Sequence, residues 1–210
     1  MKFSHILSAF LATLVVASPI DDRHAQVANQ LLEVAQRDVY ELSPRAVPNE
    51  DTAEYTAAIK AHTPLVNGEY YWFWLQWPRG AIGDGDGESA AEIKALRDAL
   101  GFDHIGVVVG QIKEATKGKG KNEVLTRDFV AELHHMIEVD GTTNTGIIQR
   151  RYEWKKDSGK VLVWGGGTSG SKATAAKKFA KAWTDTPAQK TYNVKTNNCD
   201  TFAKAVKGKL

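Results

Sequence analysis

A single cysteine stands in this 210-residue sequence, Cys199, inside the run Thr196-Asn-Asn-Cys-Asp-Thr-Phe202. Asparagine is a favoured helix cap, so Asn197 or Asn198 is expected to begin a helix with Cys199 in its first turn. Unpaired amides and the helix dipole favour negative charge there. The expected consequence is a stabilised thiolate and a lowered thiol pKa. The same amides could hold the oxyanion that forms when a thiolate attacks a carbonyl.

A cysteine nucleophile needs a base, usually histidine. Beyond the first 17 residues the candidates are His24, His62, His104, His134 and His135. His24 and His62 fall in polar surroundings and read as surface residues. His104 opens the apolar run Ile105-Gly-Val-Val-Val-Gly110, so a strand would hold it in place facing a helix packed on the sheet. His134 and His135 lie in a second strand. Side chains alternate there, which puts Leu133, His135 and Ile137 on one face and His134, Met136 and Glu138 on the other. The first set is the more apolar, so His135 is expected to face the core and to orient His104 by a hydrogen bond. A bulge would exchange it for His134. No i, i+4 histidine pair or cysteine pair accompanies them, so no metal site and no cofactor is expected.

Three other stretches invite a functional reading. Asp84, Asp86 and Glu88 alternate with glycine as in calcium loops, but the twelve-residue pattern is absent and a solvated loop is expected. Gly165-Gly-Gly-Thr-Ser-Gly170 precedes a helix without the Gly-Lys-Ser/Thr ending of a phosphate loop, so it reads as a flexible turn. Residues 70–77, Tyr-Tyr-Trp-Phe-Trp-Leu-Gln-Trp, have strong strand propensity. They fit a core strand, or more sharply a platform for a ligand or lipid surface.

The elements that must position these residues follow from periodicity. Helices are expected at 51–60 (capped by Asp51 or Asn49), 89–100, 173–183 and 199–207. Strands are expected at 70–77, 102–112, 133–139, 147–155 and 161–164. The lysine- and glycine-rich residues 113–121 read as an exposed loop, and Asp140-Gly-Thr142 as a turn. Residues 1–17 have a basic start, an apolar core at 6–17 and small residues before Ser18, the pattern of a signal peptide. Residues 18–48, broken by Pro44 and Pro48, read as a propeptide or an N-terminal helical segment, and 49–210 as one domain. A secreted chain with one cysteine has no intrachain disulfide and must rest on its core. The net charge of +2 gives no electrostatic argument for nucleic acid. No segment is long and apolar enough for a transmembrane anchor.

The order of these motifs resembles a known group. His104-Ile-Gly-Val-Val-Val-Gly110, a second histidine strand, and then Asn198-Cys-Asp-Thr-Phe-Ala203 is similar to circularly permuted papain-like enzymes. These include the lecithin retinol acyltransferase and PPPDE groups and are related to NlpC-type peptidases. The resemblance implies an α+β fold, with an antiparallel sheet, packed helices and the cysteine helix at the C-terminus. It implies Cys199 as nucleophile, His104 as base and His135 or His134 as its orienting partner. The expected function is a secreted thiol hydrolase or acyltransferase acting on a peptide, cell-wall or lipid-derived amide or ester. A secreted binding or effector protein that keeps the scaffold without turnover is the alternative.

Overall fold

The computed structural model describes residues 48–210 apart from 83–89, 140–141 and 157. The signal-peptide and propeptide readings, most of the acidic loop and the Asp140-Gly141 turn therefore lie outside the described residues. Within them the chain runs β1 (Asn49–Asp51), α1 (Ala53–Ala61), β2 (Tyr70–Pro78), α2 (Ala90–Leu100), β3 (Phe102–Lys117), β4 (Val124–Glu138), β5 (Thr145–Arg151), β6 (Val161–Thr168), α3 (Gly170–Lys181) and α4 (Cys199–Lys207). The fold is α+β.

The sheet is mixed rather than wholly antiparallel. Its order is β1-β4-β3-β2-β6, with β5 also on β4. The hairpin-linked strands are antiparallel, whereas β1 runs parallel to β4 over Asn49↔Leu125 to Asp51↔Arg127. Helix α1 intervenes after β1, so no tight turn fixes its direction.

Helices cover both faces of the sheet. On one side Tyr55, Ala57 and Ala58 of α1 pack with Phe73, Leu75, Trp77, Val108, Phe129 and Leu133. On the other, Ala176 and Ala180 of α3 and Phe202, Ala203 and Val206 of α4 pack with Trp72, Ile105, Val107, Val109 and Met136. Alternate residues of β2 and β3 therefore enter different cores, which is why both strands read as continuous apolar runs. Six aromatic residues in eight at 70–77 are thus explained by burial. Trp72, Phe73 and Trp77 are all buried, and β2 is an interior strand and not an exposed platform.

Several elements differ from the sequence expectation, each for a local reason. Residues 113–117 are not a loop. They continue β3, paired with β4 through Lys117↔Val124, although their side chains are exposed. The backbone ladder holds them, and with water on the flanks no apolar alternation is needed. Helix α1 is capped by Thr52, whose hydroxyl accepts from the Tyr55 amide at 3.2 Å, rather than by Asp51 or Asn49. Asp51 instead binds Arg127 in a bidentate pair at 2.7 and 2.8 Å. Helix α3 begins at Gly170 with Ser169 as cap, three residues before the expected start.

The glycine run is also not a flexible turn. Gly165, Gly166 and Gly167 belong to β6 and lie beside β2. A Cβ on Gly165 would stand 2.3–2.5 Å from ring carbons of Trp72. The glycine makes room for the indole, a packing requirement that composition alone does not reveal.

Candidate active site

Helix α4 starts where the sequence places it. Asn198 is the cap, its side-chain oxygen accepting from the amides of Asp200 at 3.0 Å and Thr201 at 2.9 Å. The Thr201 hydroxyl accepts in return from the Asn198 amide at 2.8 Å, which completes a reciprocal capping box. Asn197, the other candidate, is buried and anchors the segment before the helix. Its amide nitrogen donates to Thr145 Oγ1 and to the carbonyls of Gln189 and Thr191, while its oxygen accepts from Trp183 Nε1 at 3.1 Å. Adjacent asparagines thus do different work, one for the helix and one for the chain's route to it.

Cys199 is 4 % exposed and packs in the core beneath α3 and α4. Burial pushes its thiol up from the ordinary value, against the downward pull of the amides of Ile105, Asp200 and Cys199 itself. The expected lowering is therefore reversed. The helix terminus acts in the predicted direction, but desolvation of a charged sulfur outweighs it. Tyr192 packs against the same core, and its hydroxyl is also pushed up by burial.

His104 and His135 meet as the alternation predicts. His104 Nε2 lies 2.9 Å from His135 Nδ1, a hydrogen bond between two buried rings. Trp77 completes the cluster, edge-on to His104 with ring centroids 4.7 Å apart and stacked on His135 at 5.5 Å. Lys160 sits over the outer face of that indole, 4.8 Å from its centroid. Burial lowers His104 to about 3, helped by the neighbouring charges of His135, Arg97 and Lys160. His135 falls to about 4, again chiefly by burial. Both rings are neutral near pH 7, as a general base must be.

The structure places this pair and the cysteine on different sides of β3. His104 is opposite Trp77 in the β2–β3 ladder and touches it, and Trp77 belongs to the core beneath α1. Ile105, one residue on, belongs to the other core with Cys199. Among the described residues no hydrogen bond joins the thiol to a histidine. His134, the alternative partner, lies on the Cys199 side and is fully buried. The expectation that only one of the two β4 faces is a core side is thus corrected, because helices cover both. His62 is not a free surface residue either. It stacks on Trp164 with centroids 3.6 Å apart.

Sequence reasoning passed over Trp77, Lys160 and Gln149. Trp77 carried a usable signal, since its parity in β2 matches that of Phe73 and Leu75. Lys160 and Gln149 carried none, because their roles depend on which strands become neighbours. Asp103, beside His104, is held below its ordinary value. Burial pushes it up, but the Ile82 amide at 3.0 Å and the guanidinium of Arg79 outweigh that cost.

Among the described residues no group of three or more His, Cys, Asp or Glu is placed to hold a metal ion, and no helix is long and apolar enough to cross a membrane. No known protein family, curated protein or solved structure matches the chain.

Proposed function

We propose that this chain is a secreted protein that binds its target on a permuted papain-like scaffold and keeps Cys199 as a structural thiol. Secretion rests on the signal-type segment at residues 1–17. The scaffold rests on the order of a histidine strand followed by an Asn-Cys helix packed on the sheet. One observation carries the binding reading. Cys199 is buried with its thiol pushed up, on the side of β3 opposite the His104–His135–Trp77 cluster. A nucleophile needs its base within hydrogen-bond reach of the sulfur.

Iodoacetamide labelling tests this reading. Cys199 should label in denaturant and resist the reagent in the native protein near pH 7, with no change for His104→Ala. Rapid native labelling that slows in His104→Ala would overturn it.

That outcome would favour the second reading, a thiol hydrolase or acyltransferase. A specific feature supports it: the Asn198 capping box presents the first-turn amides at the cysteine, and the amides of Asp200 and Cys199 draw its pKa down. In that reading the Cys199 sulfur attacks the carbonyl carbon of a peptide, cell-wall or lipid-derived amide or ester. His104, oriented by His135, takes the thiol proton and passes it to the leaving group. Water or another acceptor then releases the acyl group. The reading requires a rearrangement that brings His104 and the sulfur to one side of β3.

A further inference from the structure

The net charge of +2 is small, but the charge is distributed unevenly. Residues 170–210, from the start of α3 onward, hold nine lysines, no arginine and two acidic side chains, Asp185 and Asp200. The balance there is +7, which leaves −5 for the other residues. A total near zero hides such polarity.

The fold gathers these lysines. Helices α3 and α4 lie side by side and run in opposite directions. Trp183, just after α3, meets Phe202 near the start of α4 with ring centroids 5.4 Å apart. Lys209, just after α4, places its ammonium 4.7 Å from the Phe179 centroid on α3. The Thr168 hydroxyl, just before α3, donates to the Leu210 carbonyl at 3.0 Å. Ala176 and Ala180 of α3 turn inward with Phe202, Ala203 and Val206 of α4. Helical spacing then turns Lys178 and Lys181 outward. It also puts Lys172 on the stripe of Phe179, which carries Lys209. All four lysines are exposed.

Pairing does not neutralise this face. Lys177 is matched by Glu132, Lys195 by Glu92 and Lys204 by Asp200. Lys172, Lys178, Lys181 and Lys209 have no ion pair among the described residues. Lys172 and Lys181 stand about 14 Å apart along the helix axis. That is close to the screening length of about 10 Å at 0.1 M salt, so the charges act together.

The surroundings of the lysines select the partner. The exposed large apolar side chains of the described residues, Val66, Ile82, Val130, Val139 and Val161, all lie outside 170–210. Phe179 and Trp183 are half-buried against the core. The face therefore offers no apolar wedge for a bilayer and no free ring on which a nucleic-acid base could stack. Lysine is a hydrated point charge without the fixed fork by which arginine grips a phosphate or sulfate. Point charges spread over a helix pair suit a plane of mobile anions, which can move to meet them.

We infer that the α3–α4 face docks on an anionic lipid surface, held at the headgroups by Lys172, Lys178, Lys181 and Lys209 without insertion. This deepens the binding reading, on which it rests, by naming the target.

The test is co-sedimentation of the full chain with vesicles of phosphatidylglycerol and phosphatidylcholine, and with vesicles of phosphatidylcholine alone. The protein should bind only the anionic vesicles and leave them in about 1 M salt. Lys172→Gln/Lys178→Gln/Lys181→Gln should lower the partition roughly a hundredfold. Lys113→Gln/Lys117→Gln/Lys119→Gln removes the same charge from exposed positions on the β3–β4 hairpin and should change it far less. Urea midpoints of both variants should stay at that of the parent. The inference is overturned if the anionic vesicles do not bind, if neutral vesicles bind as well, or if the two triple variants bind alike. Retention on heparin at a salt concentration that releases the vesicles would assign the face to a sulfated polysaccharide and overturn the lipid assignment. The two readings fail separately. A reactive Cys199 with vesicle binding as described removes the structural-thiol assignment and leaves the docking face. An inert Cys199 with no vesicle binding removes the face and leaves that assignment.

Discussion

The two sides of β3 carry buried histidines in different company. Beneath α1, His104 and His135 hydrogen-bond each other and share the indole of Trp77. Beneath α3 and α4, His134 is tied to Gln149 and Cys199 lies in an aliphatic and aromatic core. Residues adjacent in sequence, His104 and Ile105 or His134 and His135, thereby enter separate environments. In a sheet covered on both faces, one residue of register decides which chemistry a side chain can join.

The comparison can be broken most sharply by removing one buried aromatic from each side. Phe73 and Phe202 are both fully buried. Phe73→Ala and Phe202→Ala should each cost about 3–5 kcal/mol in urea unfolding. A small effect for either would mean that its side is not a packed core.

Acid should act on both sides together. The three histidines have folded pKa values below that of free histidine, so the unfolded chain binds protons first as pH falls. Their contribution to stability is complete above about pH 6.5 and declines as pH falls toward 4 and 3, a combined loss on the order of several kcal/mol. Urea midpoints measured from pH 7 to pH 4 check this. A flat profile would mean that the histidines are not buried as neutral rings.

A third change sharpens the contrast by disturbing only the α3–α4 side. Gly165→Ala places a methyl group against Trp72 and should cost about 2–3 kcal/mol. Loss of stability without loss of the His104–His135 hydrogen bond, followed through the imidazole ¹⁵N shifts, is the expected pattern. At the cysteine, Cys199→Ser should be less stable than Cys199→Ala by about 1 kcal/mol, since the amides of Ile105 and Asp200 face the side-chain atom only as donors and leave the hydroxyl proton to be buried among apolar neighbours. Equal stability would point to a polar, reachable position. Smallest is Lys160→Ala, where loss of the cation–π contact over Trp77 should cost about 0.5 kcal/mol in a thermal melt.

The features legible in the sequence were those fixed by nearest neighbours. The Asn198 cap, the extent of α4, the stop of α2 at Gly101 and strand β2 all depend on local backbone preferences and on short hydrophobic runs. Alternation in β4 also foresaw that His135 would be the histidine to meet His104. What could not be read was which sides the helices would cover. With the helix that carries Cys199 taken to face His104, the pair looked like a nucleophile and its base. The β3–β4 extension and the glycine half of β6 escaped for a related reason, since one is held by a ladder and the other by an indole from a distant strand.

By itself, then, the sequence determined a capped C-terminal helix with the lone cysteine at its first position, and a β3 in which His104 and Ile105 must point to opposite sides. Those are consequences of capping and of the two-residue period of a strand. Tertiary structure decided the rest: that helix packs on the Ile105 side, and the thiol is desolvated until burial outweighs the helix dipole. Burial depends on what covers a residue, and the covering elements come from parts of the chain far away in sequence.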